Sequence, residues 1–409
     1  MTVPKGILLT LFIFFLMPFL VSTVSAQINN TVSGTVISKE NGTPLDGITI
    51  SWSNKGIGSI TNAEGKFIIV LPSPYIQQDS LLFSCIGYKP QKISIQAAVT
   101  NKNLFVKLET AIEVLQEVSI KPLTLKQLLD SVTRHNQAAF ISPIKLGGYY
   151  REFVYTNSKC NEYADALCEY FFDNNPKVGS QLKINASRCI TGKENNGNAK
   201  NAEFYWDSKI DPILAFKYAL FSEMVKKYFP DKNLSQYKYN MDEYTDQISG
   251  GFKITIVPYG QGIYKLTLIL NNDFTLQAYH LEIPENILAG LKEKSLIGVH
   301  IKINKLIIDV KYIAVDDHIY PNYYSLTQAQ HLWGKLLGTK FDQVDEDKSE
   351  FVVTTVNKSN GLKPFTKEET YKKGNICNNG ISINDTLLKK YTTIVPSLKD
   401  SVQIDSLTN

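Results

Sequence analysis

Short runs in which hydrophobic and polar residues alternate fill the chain between residues 28 and 108. The clearest runs cover residues 32–37, 48–52, 66–70, 81–86 and 104–108. Alternation with a period of two places every second side chain on the same face of an extended strand. Turn-forming residues separate the runs, including residues 41–47 and the hairpin turn Asn62-Ala63-Glu64-Gly65. About seven short strands, with a turn roughly every eight to twelve residues, predict a β-sandwich.

The same segment resembles a known family. Its residues run Gly34-Thr35-Val36, then Thr43-Pro44-Leu45-Asp46-Gly47, then Thr61-Asn62-Ala63-Glu64-Gly65, then Phe83-Ser84-Cys85-Ile86-Gly87-Tyr88. This order is similar to the carboxypeptidase-like regulatory domain of exported Bacteroidota proteins, which also opens many TonB-dependent receptors. The resemblance implies a transthyretin-like sandwich of about seven strands that accompanies carboxypeptidases without being their catalytic part. Asn62 stands where the family more often has Asp, and both residues suit the turn.

A second pattern begins after a predicted connector at residues 109–122. Thr124 and Gln127 form a capping box ahead of leucines spaced for an amphipathic helix. Residues 148–156 and 162–172 predict two long antiparallel strands joined by a turn around Asn157 and Ser158. Pro212 predicts the first residue of one helix that continues to Pro230.

Strands then follow in succession up to residue 357. They are predicted at residues 252–257, 263–270, 274–283, 300–315, 320–328 and 350–357. Short turns between neighbouring strands are typical of an antiparallel meander. The predicted fold class is therefore mainly β with some α: a seven-stranded sandwich at residues 27–108, then a larger α+β domain at residues 123–409 with a curved antiparallel sheet. The sandwich is expected to fold alone and to make few contacts with the second domain.

Two further segments resemble a group of uncharacterised exported Bacteroidota proteins. The first combines Tyr149-Tyr150-Arg151-Glu152 with Glu162-Tyr163-Ala164-Asp165-Ala166, where Asp165 stands at a position that those proteins usually fill with Glu. The second is Lys390-Tyr391-Thr392-Thr393-Ile394-Val395-Pro396, which is similar to their closing motif. The resemblance transfers no activity to this chain.

The first 26 residues predict export. Lys5 precedes an apolar run at residues 6–21 that holds Pro18 and no ionisable residue, and Val24-Ser25-Ala26 offers small residues for cleavage before Gln27. A retained anchor is the alternative, although the run is shorter than the ~20 residues of a spanning helix. No later segment predicts a transmembrane helix. The expected location is the periplasm or an association with the outer membrane.

Composition narrows the classes of function and leaves the cysteine pairing open. The formal charge of +4 is spread along the chain, so no basic stripe predicts binding to nucleic acid. The 22 Tyr and 20 Phe residues favour sheets. Five cysteines leave at least one unpaired, and no spacing predicts a zinc or CxxC site. Cys85 is predicted to be a buried thiol, and Cys168 with Cys189 is a candidate disulfide that the sequence leaves open.

The motifs of common hydrolases and nucleotide-binding proteins are missing. None of the five histidines, His135, His280, His300, His318 and His331, is followed by Glu three residues later, and HExxH does not occur. A zinc carboxypeptidase needs such ligands. The motifs GxSxG, GxxxxGK[ST] and GxGxxG are absent as well. The sequence therefore predicts no enzyme, no catalytic, cofactor-binding or metal-binding residues, and no cofactor.

Three weak polar candidates and one aromatic group remain. The polar candidates are Asp316-Asp317-His318, the pair His280 and Glu282, and the acidic cluster Asp342, Asp345, Glu346 and Asp347. A solvated turn, a solvent-facing strand and a surface loop are the favoured interpretations. The aromatic residues Tyr149, Tyr150, Tyr155, Tyr163, Tyr170 and Phe171 could line a groove for a glycan or peptide, or form a sheet core.

Three classes of function fit these patterns. The first is a non-enzymatic cell-envelope protein in which the sandwich is an accessory or docking module for a C-terminal binding domain. The second is a periplasmic carrier of lipid or lipoprotein, and the third is an accessory component of a TonB-dependent uptake system. The predicted partner is an envelope protein, glycan or lipid. Carriers differ from the first class if the concave face of the sheet leaves an apolar cavity instead of being filled by its own side chains.

Overall fold

The computed structural model describes most of the chain after residue 29. It covers residues 30–52, 55–72, 78–85, 87–101, 103–111, 123–140, 142–173, 180–192, 212–245, 250–315, 318–336, 338–359, 361–372, 376, 379–388 and 390–408. The predicted signal peptide, most of the predicted connector, and Asp316 and Asp317 lie outside the described residues.

Seven strands build the first domain, which confirms the predicted sandwich. They are β1 (Asn30–Ser38), β2 (Thr49–Trp52), β3 (Ile57–Ile60), β4 (Lys66–Leu71), β5 (Ser80–Ser84), β6 (Gln91–Ser94) and β7 (Asn103–Leu108). One sheet has the order β4-β1-β7 and the other β3-β2-β5-β6. A short helix, α1 (Ile95–Asn101), precedes β7. Trp52, Phe67 and Phe83 are fully buried between the sheets, as the period-two pattern requires.

A twelve-stranded sheet dominates the rest of the chain. Its strands are β8 (Ile144–Thr156), β9 (Lys159–Phe172), β10 (Gln181–Thr191), β11 (Tyr237–Thr245), β12 (Gly250–Pro258), β13 (Lys265–Asn271), β14 (Leu276–Glu282), β15 (Lys294–Leu296), β16 (Val299–Val315), β17 (His318–Leu336), β18 (Thr339–Asn357) and β19 (Ile381–Ser382). The order is β11-β12-β13-β14-β16-β17-β18-β8-β9-β10-β19, and β15 pairs with β16. All pairings are antiparallel except that of β10 with β19.

Helices lie against both faces of this sheet. They are α2 (Leu125–Ala139), α3 (Pro212–Lys217), α4 (Phe221–Tyr228), α5 (Glu285–Gly290), α6 (Asp385–Leu388) and α7 (Leu398–Thr408), with a 3-10 helix at Asp231–Gln236. The predicted capping box begins α2: Thr124 accepts from the backbone of Gln127, whose side chain accepts from Thr124 N–H. Helices α2, α3 and α4 share one apolar core with the sheet. We call the face that they cover the inner face and the opposite face the outer face.

The helix predicted from Pro212 to Pro230 is wrong as a single element, because the chain breaks between α3 and α4. Two tyrosines of the sheet, Tyr279 (buried) and Tyr312 (partly buried), explain the break. The hydroxyl of Tyr279 donates to the carbonyl of Tyr218, and that of Tyr312 donates to the carbonyl of Ala219. These bonds satisfy carbonyl groups that a continuous helix would use itself.

Two other expectations are corrected. Cys168 is a free, buried thiol, so the candidate Cys168–Cys189 disulfide is wrong; Cys189 is disulfide-bonded to a residue outside the described part. The predicted acidic surface loop is also wrong. Its residues belong to β18, and Asp345 and Asp347 are buried on the inner face.

Candidate functional site

The first domain packs directly against the outer face of the large sheet. Strand β3 lies over β17 and β18, and Ile60 shares a small apolar cluster with Tyr149, Tyr323 and Val352 from three strands of the sheet. Ile60 is 4% exposed and does not belong to the sandwich's own core. The expectation of few contacts between the domains is therefore wrong. We call this contact region the junction.

A C-terminal segment, residues 392–396, contacts both domains at the junction. The hydroxyl of Thr392 accepts from Val70 N–H at 2.9 Å, and the amide of Asn62 donates to the carbonyl of Pro396 at 3.0 Å. Ile394 joins the cluster that contains Ile60. The segment that resembles a closing motif thus binds β4, the turn between β3 and β4, and the outer face of the large sheet. Because β3 and β4 belong to different sheets, that turn is not the hairpin turn that the sequence predicts.

Helix α7 continues this contact. Ser397 and Asp400 exchange hydrogen bonds through their side chains and backbone N–H groups, which caps the first turn of the helix. The carboxylate of Glu64, in the turn between β3 and β4, accepts from Leu398 N–H at 3.2 Å. A negative charge at a helix N-terminus is favourable because the unpaired N–H groups there carry partial positive charge.

Arg151 is the centre of a buried charged group on the outer face of the sheet, two residues along β8 from Tyr149 of the junction. Its guanidinium donates to Glu350 from Nε at 2.8 Å and from Nη2 at 2.7 Å, and Nη2 lies 3.3 Å from Asp400. Tyr323 donates its hydroxyl to the other oxygen of Glu350 at 2.7 Å. Burial would raise the pKa of Glu350, but the charge of Arg151, Lys348 and the hydrogen bonds lower it to about 2. Burial disfavours the charge on Arg151 as well, yet Glu350 and Asp400 raise its pKa above the ordinary value.

A second charged group lies beside the first on the same face. Asp165, fully buried, accepts from the hydroxyls of Tyr149 and Tyr163 at 3.0 and 3.1 Å. Arg188 forms a two-pronged contact with both oxygens of Asp165 at 2.7 and 3.1 Å. Burial chiefly, with the neighbouring Asp165, raises the pKa of both tyrosines. In this arrangement both tyrosines are neutral hydrogen-bond donors, and Asp165 is paired with Arg188. Fixed contacts of this kind stabilise a structure.

Strands β8 and β9 place the remaining polar residues of the two sequence motifs on the inner face. Glu152 and Glu162 are 5% and 3% exposed there, and Tyr150 donates to Glu152 at 2.7 Å. Asp345, on the neighbouring β18, accepts from Thr156 and Gln343 at 3.0 Å each. One motif therefore supplies buried polar groups to both faces, because successive side chains of a strand point in opposite directions.

The histidine candidates lie apart from the junction. His280 Nδ1 lies 2.7 Å from Asp309 on β16, and its Nε2 lies 3.6 Å from Glu282. The hydrogen bond to Asp309, against partial burial, raises the pKa of His280. His318 Nδ1 lies 3.2 Å from the carbonyl of Ala139. Within the described part of the chain, no group of three or more His, Cys, Asp or Glu residues is arranged to hold a metal ion.

The aromatic candidates form packed core. Five of them, Tyr149, Tyr150, Tyr163, Tyr170 and Phe171, are at most 3% exposed. Tyr170 stacks on Phe216 of α3 with ring centroids 4.1 Å apart, and Phe351 meets both rings edge-on. Such contacts are those of an interior. Tyr155, the sixth candidate, is partly exposed and stacks on Phe153.

The charged pairs that join the outer face of the sheet to helix α7 escaped the sequence analysis, which names Arg151 only within a motif. Glu350 lies 199 residues after Arg151, and Asp400 lies still further along the chain. Single-sequence patterns carry no signal for such pairs. One positional signal for a buried charge exists in the sequence. Arg151 lies between Tyr149 and Phe153 on the same face of a strand, so a single charge is flanked by two aromatic rings.

A comparison with known families bears on the first domain. Residues 32–120 match the CarboxypepD_reg-like domain. The match confirms the resemblance of the sandwich to the carboxypeptidase-like regulatory domain, and it extends through residues predicted as the connector. No curated protein matches this chain.

Solved structures resemble the chain only distantly. A DUF1329 family protein from Desulfovibrio piger is 10% identical, with a TM-score of 0.23, and covers 59% of this chain and 96% of its own. A structure from Vibrio parahaemolyticus, named for outer-membrane lipoprotein sorting, is 8% identical with a TM-score of 0.22 and covers 57% of this chain and 93% of its own. Likeness at this level carries no functional argument. Among the described helices, none has the length and apolar character needed to cross a membrane.

Proposed function

We propose that this chain is a non-enzymatic protein of the cell envelope in which the regulatory-like domain is an accessory module, fixed to a C-terminal domain that binds the partner. The observation that carries the proposal is the junction. Apolar packing at Ile60, hydrogen bonds from Asn62 and Val70, and the contact of Glu64 with α7 all join the module to the second domain. Because the module contacts the second domain at all of these points, we expect it to stabilise the large sheet.

Filling of the inner face favours this proposal over a lipid carrier. In the described part, side chains from α2, α3 and α4 pack onto the strands in one continuous apolar core. A carrier needs an apolar cavity that its own side chains leave open. Extraction of the purified protein followed by lipid mass spectrometry tests the point. We expect no stoichiometric lipid, and a bound lipid in a one-to-one ratio would favour the carrier. An accessory role in TonB-dependent uptake stays a second candidate.

Cleavage between the domains tests whether the contacts at the junction hold the two domains together. A protease site inserted after Ala111 allows the chain to be cut within the predicted connector. Cys85, the cysteine of the first domain, is a free thiol, so no disulfide would hold the fragments together. We expect both fragments to elute together in gel filtration. Fragments that separate without any substitution would contradict the proposal.

A matched pair of variants sharpens the experiment. Ile60→Asp places a charge in the junction cluster without touching the sandwich core, so the cleaved fragments should separate. Phe105→Asp places the same charge at a position that is 65% exposed on β7, and its fragments should stay together. Circular dichroism of the freed first domain reports whether the substitution has unfolded it.

Enzymatic activity and export need separate tests. The sequence lacks hydrolase motifs, and the charges on the outer face of the sheet form the pairs Arg151–Glu350 and Arg188–Asp165. We expect no turnover in peptidase, esterase and glycosidase screens and no stoichiometric zinc in elemental analysis. We also expect mass spectrometry of the envelope fraction to find a mature N-terminus at Gln27. Turnover lost on changing His280 or His318, or recovery with Met1 intact, would contradict these expectations.

A further inference from the structure

The hairpin between β15 and β16 ends in an exposed apolar tip. Leu296 pairs with Val299, so Ile297 and Gly298 are the two central residues of the turn. Both have positive φ, 50° for Ile297 and 78° for Gly298. Leu296 is 61% exposed and Ile297 is 82% exposed. We call residues 296–298 the hairpin tip.

Folding and solubility both disfavour isoleucine at this position. Two-residue hairpin turns with positive φ at both central residues prefer Asn-Gly, because Asn tolerates the left-handed region and a β-branched side chain does not. The chain follows this rule elsewhere, with Asn157 at φ 50° and Ser158 at φ 67° between β8 and β9. Ile297 instead combines backbone strain with a side chain presented to water. Strain of this kind is concentrated at functional positions.

The neighbouring hairpin, between β17 and β18, lies against the tip and brings positive charge. Lys335 N–H donates to Gly298 O at 3.1 Å, and a Cβ at Gly334 would meet Gly298 O at 2.1 Å, so the two hairpins touch through backbone. Lys335 and Lys340 are directly opposite each other on the two strands. Like charges in that relation destabilise a sheet.

Four lysines and two acids lie around the tip. Lys292, Lys294, Lys335 and Lys340 are exposed, and none has an ion pair within the described residues. The two acids contact histidines: Glu293 lies 3.0 Å from His300, and Asp342 lies 2.7 Å from His331. With the histidines neutral, four lysines and two acids leave a formal charge of about +2 around the tip. Trp333 packs between these two histidines at the base of the tip. Leu296 and Ile297 therefore lie outermost, the lysines surround them, and the indole of Trp333 lies at the base. This order matches a lipid leaflet, in which acyl chains are followed by charged headgroups.

We propose that the hairpin tip inserts into an anionic phospholipid leaflet, with Leu296 and Ile297 in the acyl region and the four lysines against the phosphates. Charge complementarity selects this occupant over an apolar pocket of another protein, because isolated lysines gain nothing from such a pocket. The tip does not overlap the junction, so it attaches the chain to a membrane surface by a contact that is separate from the contact between the domains.

Vesicle sedimentation of the whole exported chain tests the proposal. One set of vesicles contains phosphatidylglycerol and phosphatidylcholine in equal parts, and the other contains phosphatidylcholine alone. We expect sedimentation with the anionic set, weakened by salt, and little with the neutral set. Ile297→Asn should lower binding about tenfold or more, since one apolar side chain leaves the lipid. The double variant Lys335→Gln, Lys340→Gln should lower it about fivefold per lysine.

The design separates loss of binding from loss of folding. Asn suits the first position of this turn, so Ile297→Asn should unfold at the same or a higher temperature than the unchanged chain. Phe105→Asn, at an exposed apolar position of the first domain, is the control and should bind vesicles normally. Equal binding by the Ile297→Asn protein, equal binding to both vesicle sets, or sedimentation without vesicles would each overturn the proposal.

Discussion

The guanidinium of Arg151 and the carboxylate of Glu350 lie 2.7 Å apart on adjacent strands, with 3% and 7% of their side chains exposed. The same guanidinium reaches Asp400 in α7, so one buried cation joins the sheet to the C-terminal helix. Charges are removed from water at such a site, and each partner depends on the other to offset that cost.

Removal of the cation should therefore destabilise the whole protein. For Arg151→Met we expect the free energy of unfolding to fall by about 3–5 kcal/mol, because Glu350 and Asp400 remain buried without their partner. The double variant Arg151→Met, Glu350→Leu should recover part of the loss. Urea unfolding followed by fluorescence measures both. A loss below about 1 kcal/mol for Arg151→Met would mean that water reaches the pair.

The same pair predicts how stability depends on pH. The pKa of Glu350 is about 2 in the folded chain and 4.5 as its ordinary value. A lowered folded-state pKa contributes stability that is fully present above the ordinary value and is lost as the pH falls toward the folded value. We expect the stability difference between the unchanged chain and Glu350→Gln to shrink between about pH 5 and about pH 2. A difference that stays constant over that window would show that Glu350 titrates normally.

The sequence predicts the strands well and the junction poorly, for one physical reason. Period-two alternation reports which strand faces are buried by the local fold, and it locates β1, β4, β8 and β9 correctly. Charged residues on a strand suggest a solvent face. Arg151 and Glu350 break this rule because the first domain and α7 cover the outer face, and no local pattern records that cover. The acidic residues of β18 likewise suggest exposure and so predict a loop, whereas Asp345 and Asp347 are buried on the inner face.

Thiol reactivity should distinguish Cys85, Cys160 and Cys168, the free cysteines among the described residues. Burial raises the pKa of Cys160 to about 11, and burial also raises the pKa of Cys168. Cys85 is only partly buried. We expect maleimide at neutral pH to label Cys85 first, with Cys160 and Cys168 slower by about a hundredfold or more, since the thiolate is the reactive form. Peptide mass spectrometry after timed labelling gives the rates. Fast labelling of Cys168 in the folded chain would contradict its position in the core.

Gly58 and Asn322 form a steric pair across the junction. A Cβ on Gly58 would lie 2.1 Å from the Asn322 side-chain oxygen. Asn322 is fully buried, and neither polar atom of its amide has a hydrogen-bond partner. The close approach therefore depends on glycine in β3, while the amide on β17 brings no hydrogen bond in return.

This geometry predicts coupling between two single substitutions. Gly58→Ala should destabilise the junction by about 1–3 kcal/mol through overpacking. Asn322→Ala should change stability little, because the lost packing is offset by removal of an unpaired buried amide. The double variant should be more stable than Gly58→Ala alone, since the alanine at position 58 then has space. Urea unfolding of the four proteins gives the coupling free energy. Additive effects of the two substitutions would show that β3 and β17 do not touch at this point.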